Sequence, residues 1–158
     1  MKSLITFIVV LLSFQVTAAK YPPTVSLKYL SSDLSAQAVN AAMKDCTKRG
    51  YKVAVALVGR DGNLLAFTRN PLSGPHSVKV SQRKAFTAAT FQVSTWSLRD
   101  RNDLARAPGI LLIRGGLPVV VGGQFYGGIA VSGAEPSIDE KCAKAGIEAI
   151  TEAIEFAD

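Results

Sequence analysis

At 158 residues, 48% of them hydrophobic, the chain can bury one sizeable core but is too short for two ordinary domains. Its 18 Lys and Arg stand against 12 Asp and Glu, a formal charge of +6. Those cations are scattered, with no aromatic-interleaved basic strand, which argues against nucleic acid and leaves small anions or a membrane surface as what the charge attracts.

Residues 1–19, MKSLITFIVVLLSFQVTAA, carry Lys2, an apolar run from Leu4 to Phe14 and small residues at Thr17, Ala18 and Ala19. That is the layout of a cleaved secretory signal peptide, and the apolar run is short for a membrane span. The segment has no cysteine for a lipid anchor, so a periplasmic or secreted protein with no transmembrane anchor is expected, with about +5 left on the mature chain. Residues 20–30 hold two adjacent prolines and read as an extended arm. The domain then runs over residues 31–158.

A Ser-Ser-Asp cluster opens a helix with Leu34, Ala38, Ala41, Ala42 and Cys46 at helical spacing, ending at Gly50. Tyr51–Val58 and Asn63–Arg69 are β-rich and flank Asp61-Gly62, which reads as a hairpin. The loop NPLSGPH leads into a second helix over Ser77–Gln92. Its small or apolar face is Val78, Ser81, Ala85, Ala88 and Ala89, while Lys79, Arg83 and Lys84 are assigned to its surface. Ser94 or Thr95 would cap a short polar helical segment through Leu104. Apolar runs at 110–113, 118–121 and 124–132, separated by Gly115-Gly116 and Gly122-Gly123, predict strands joined by tight reversals. Ser137 and Glu140 have capping-box spacing ahead of a last helix with Ile147, Ile150 and Ile154. The sum is one α/β domain: about five strands in a mainly antiparallel sheet, flanked by three main helices.

Cys46 and Cys142 both fall on helices. They form a bridge if those helices are neighbours, and are otherwise two buried small side chains. His76 is the chain's single histidine. A nucleophilic triad would need it as base, yet no G-x-S-x-G elbow is present. One histidine also leaves structural zinc unsupported, and the acidic residues show no calcium-loop spacing. A haem-type site asks for less: an axial ligand, an apolar slot, and cations for the propionates. His76 stands at the entrance of the second helix, where the dipole favours the neutral imidazole that binds metals. Lys79, Arg83 and Arg69 offer charge nearby, and Phe86, Phe91, Trp96 and Tyr126 offer apolar faces. The plainer reading keeps His76 as a loop or capping residue and the aromatics as core.

Two segments resemble the GlcG/HbpS-like family, also known as DUF336, the haem-binding or haem-degrading domain family. GGLPVVVGGQFYGGIAVSGAEPSIDEKCAKAGIEAI is similar to its C-terminal signature through Gly115, Gly116, Pro118, Gly123, Gly128, Val131, Ser132, Gly133, Asp139, Glu140 and Gly146. SQRKAFTAATF holds the family's Lys-Ala-x-Thr-Ala run at Lys84, Ala85, Thr87 and Ala88. The resemblance covers residues 31–156. Ile129-Ala130 and the basic stretch RDRNDLARAPGILLI depart from the family pattern. It implies a five-stranded antiparallel sheet, assembly into homo-oligomers and, as in exported members, haem binding with a sensing or handling role. His76 is then the metal ligand, with Lys79, Arg83, Phe86 and Tyr126 around the cofactor. Another small anionic ligand, or a structural accessory without haem, are the alternatives.

Overall fold

In a computed structural model, residue 22 and residues 24–157 are described; the expected signal segment lies outside them. Three helices and four strands follow one another as α1 (Ser32–Lys48), β1 (Ala54–Gly59), β2 (Leu64–Arg69), α2 (His76–Phe91), β3 (Gly116–Val121), β4 (Gln124–Ser132) and α3 (Pro136–Glu155). All strand pairings are antiparallel, in the order β2-β1-β4-β3. The α/β architecture is as expected, with one strand fewer. β1 is central and buried along its whole length, which is why its sequence AVALVG is apolar without alternation.

The two faces of the sheet are filled differently. Val55, Leu57, Ile129 and Val131 meet α1 and α3 in the larger core, which includes Cys46, Cys142 and Ile150. Ala56, Val58, Phe125 and Ala130 meet Ala85 and Ala89 of α2 in a smaller one. Cys46 and Cys142 form a disulfide across α1 and α3, with Cα atoms 5.5 Å apart.

Gly122 and Gly123 both take positive φ at the β3–β4 turn, the tight reversal their pairing predicts. The other reversal is different. Residues 110–113 are not a strand, and Gly115-Gly116 joins no hairpin there. Side chains of α2 and its neighbour take the place of a strand ladder. Arg83 donates to the Ile110 carbonyl at 2.6 Å, Thr87 Oγ1 accepts from Leu111 N at 2.8 Å, and Lys84 donates to the Arg114 carbonyl at 2.9 Å. Thr95 Oγ1 then accepts from Gly116 N at 3.1 Å. Buried backbone groups need partners, and here distant side chains supply them.

Two more expectations change. Short 3-10 turns at Thr95–Leu98 and Leu104–Arg106 replace the continuous segment, although Ser94 does cap the first by accepting from Ser97 N. α3 opens on Glu135 with Pro136 in its first turn instead of a Ser137–Glu140 capping box. Ser137 donates to the Glu135 carboxylate, while Glu140 is drawn away by Arg114 at 2.6 Å.

Candidate functional site

α2 presents two chemically distinct sides. On the buried side lies Lys84, which the sequence places at the surface. It is 0% exposed, and its ammonium reaches past Gly115 to Asp139 of α3 at 3.0 Å. A Cβ at Gly115 would stand 2.5 Å from Lys84 Nζ and 2.7 Å from Asp139 Cβ, so glycine clears the path. Asp139 also accepts from Ala134 N at 3.1 Å. Burial pushes Lys84 below the usual ammonium range and Asp139 above the usual carboxylate range, in each case outweighing their mutual attraction. This cluster is sealed, and it ties α2 to the start of α3.

The exposed side carries His76, Lys79, Arg83 and Phe86. At 100° per residue these positions fall within a strip about 80° wide, and the first and last lie about 15 Å apart along the axis. Both ends are shaped by glycine. A Cβ at Gly74 would lie 2.6 Å from His76 Cε1 and 2.8 Å from Nδ1, so the imidazole rests on the bare Gly74 backbone. Cβ atoms at Gly62 and Gly109 would lie 2.7 Å and 3.2 Å from the Phe86 ring. Among the described residues His76 and Lys79 make no hydrogen bond or ion pair, so both heads are free for a ligand.

A crevice of about 230 Å³ lies beside Phe86, between Val58, Leu64, Arg83 and Gly109. A more polar one of about 300 Å³ lies on the ring's other flank, bordered by Arg60, Asp61, Thr90 and Phe125. The hairpin tip between them is fixed by Asp61, whose carboxylate accepts from Asn63 N and Nδ2; these bonds lower its pKa.

Four of the five residues expected around a cofactor therefore share one stripe, and Tyr126 does not. Register slips between β3 and β4, with Val119 opposite Gly127 and Val120 opposite Phe125. That bulge turns Tyr126 into the α1–α3 core, away from α2. Arg69 is engaged with Ser73, donating to its hydroxyl and carbonyl at 3.1 and 2.9 Å, and so orders the loop before His76. Trp96 is exposed, with the Arg99 and Arg114 guanidinium groups 4.9 and 5.3 Å from its ring. Among the described residues no group of three or more His, Cys, Asp and Glu could hold a metal, and no helix is long and apolar enough to cross a membrane.

The HbpS-like family profile, described as haem degrading protein HbpS-like, matches residues 30–148. The chain belongs to the HbpS-like family. It is 32% identical over 108 residues to Protein GlcG of Escherichia coli K12, covering 65% of this chain and 81% of GlcG. HbpS of Streptomyces reticuli, solved as a double mutant, superposes with a TM-score of 0.75 at 35% identity, covering 83% of this chain and 93% of that one. PduOC, solved in complex with haem, shares the fold at 24% identity and a TM-score of 0.73, covering 78% and 96%. Haem is thus named in the description of the family and in the PduOC complex.

Proposed function

We propose that this HbpS-like chain is an exported haem-handling accessory whose site is the exposed stripe of α2, with His76 as iron ligand. The unpartnered imidazole at the head of that stripe carries the reading. Lys79 and Arg83, one and two turns further on, are suited to pair with propionates, although Arg83 is also held to the Ile110 carbonyl. Haem, when bound, would bring one-electron and oxygen chemistry that no side chain of the chain possesses. The chain's own part is to offer a nitrogen ligand, place positive charge and cover one apolar face.

The donor set fits such a group on one side only. The Phe86 crevice, at about 230 Å³, is smaller than the roughly 300–1,000 Å³ usual for an enclosing pocket. A second copy of the chain would cover the other face, in the homo-oligomer that the family resemblance implies. Kinship with HbpS and the presence of haem on the same fold in PduOC support the cofactor class. The apolar leader of residues 1–19 and the Cys46–Cys142 bridge, which suits an oxidising compartment, support periplasmic or secreted placement.

Haemin titration of the chain tests the proposal. A Soret shift is expected that saturates and is lost in His76→Ala while the thermal unfolding curve is kept. A spectrum unchanged by His76→Ala overturns ligation by His76. No shift in the unmutated chain overturns haem itself and leaves a small anionic ligand, or a structural accessory role, as the reading of the stripe.

A further inference from the structure

On the opposite side of the sheet, a cleft of about 210 Å³ opens between the segment entering α1, the β4 bulge and the end of α3. Tyr29, Leu30, Leu34, Tyr126 and Ile154 line it, with Lys28 at the rim. We infer that this cleft binds a neutral, phenol- or indole-sized aromatic molecule whose single polar group pairs with the Tyr126 hydroxyl.

Three observations converge on that class. Tyr126 is only 5% exposed, yet its hydroxyl has no hydrogen-bond partner among the described residues and opens to the cleft. The body of the residue is buried while its hydroxyl stays accessible, so the cleft offers one polar position in an otherwise apolar lining. Next, the residue is aimed there by a β-bulge, a device that re-directs side chains beside binding sites. A second bulge, at Leu65 of β2 opposite Leu57 and Val58 of β1, likewise turns Leu65 to this side at the same end of the sheet. Lastly, size and charge select the ligand. An apolar cavity of about 150 Å³ accommodates benzene, so the present cleft takes one ring with a substituent or a small bicycle. α3 ends at the cleft with no basic residue in its last turn, and its terminal carbonyls disfavour an anion. Lys28 is already partnered.

The inference stands apart from the haem reading, since it uses the other side of the sheet. Its test uses the chain with p-cresol, and with toluene as the probe that lacks a hydroxyl. Calorimetry should show one saturable site for p-cresol. Tyr126→Phe should weaken p-cresol by about five- to tenfold, the worth of one hydrogen bond, and leave toluene unchanged. Leu34→Trp, which fills the cleft, should abolish both. In the unmutated chain, nuclear Overhauser contacts from p-cresol should reach the Leu30 and Ile154 methyl groups. Absence of saturable binding, p-cresol affinity indifferent to Tyr126→Phe, or contacts at Phe86 instead would each overturn the inference. The haemin response of Tyr126→Phe should match that of the unmutated chain.

Discussion

The two sides of the sheet are held by different physics. Toward α1 and α3 the contacts are large aliphatic side chains and a disulfide, interactions that tolerate small changes of shape. Toward α2 the side chains are mostly small, and cohesion is directional: within residues 110–139 Arg83 and Thr87 each bond one backbone atom, and Lys84 bonds a carbonyl and a carboxylate oxygen. Apolar burial sets how much the fold gains; polar bonds of this kind set where α2 lies. The exposed stripe from His76 to Phe86 therefore rides on a helix whose position is set by directional bonds, which suits the ligand site proposed for it.

The sharpest way to break that contrast is Lys84→Met. It strands the Asp139 carboxylate without its cation and should cost about 3–5 kcal/mol in urea unfolding, whereas Lys84→Met with Asp139→Leu should regain most of it. The pH dependence has a definite sign. Asp139 in the folded chain already titrates above its ordinary 3.8, and Lys84 is the main influence holding it down. In Lys84→Met the folded form thus binds more protons than the unfolded one from 3.8 upward, so the variant's deficit should shrink as pH falls through that window. A deficit that grows on acidification would show that the pair acts otherwise than as a buried charge with its partner.

On the other face, Cys46→Ala with Cys142→Ala opens a bridge spanning 96 positions and should cost about 2–4 kcal/mol, read from the denaturation midpoint of the oxidised chain. The two variants also differ in what they disturb. Loss of the bridge should leave amide exchange in residues 110–116 near that of the unmutated chain, while Lys84→Met should speed it selectively. Equal protection in both would dissolve the distinction between the faces.

The same contrast explains what the sequence disclosed. α1, the β1–β2 hairpin and the Gly122-Gly123 turn are local patterns, written in periodicity and positive-φ glycines, and are legible without the fold. Residues 110–113 carry the composition of a strand, but the partners of Ile110 and Leu111 are side chains 27 and 24 positions earlier, which periodicity does not register. Lys84 reads as a surface residue because its counter-charge is 55 positions away. Tyr126 joins the wrong partners in a sequence reading because a one-residue slip reverses the side of the sheet a strand residue faces. The row of His76, Lys79, Arg83 and Phe86 follows from helical spacing alone. What spacing does not disclose is that the imidazole lies free on Gly74.

Gly74→Ala isolates that last feature at the smallest cost. Gly74 lies outside the positive-φ region, and the residue before a proline is held to extended backbone that alanine also adopts. The added methyl meets only the far end of the exposed His76 ring, so stability should stay within about 0.5–1 kcal/mol of the unmutated chain, with any gain coming from the less flexible unfolded state. Nevertheless the imidazole must swing off its seat, because its Cε1 would otherwise lie 2.6 Å from the new carbon. If the ring's resting place pre-orients it for a ligand, haemin affinity should fall by a few-fold, less than in His76→Ala, with the Soret position retained. Full loss of the band would mean that the seat, and not merely the imidazole, is required; unchanged affinity would mean that Gly74 serves the loop alone.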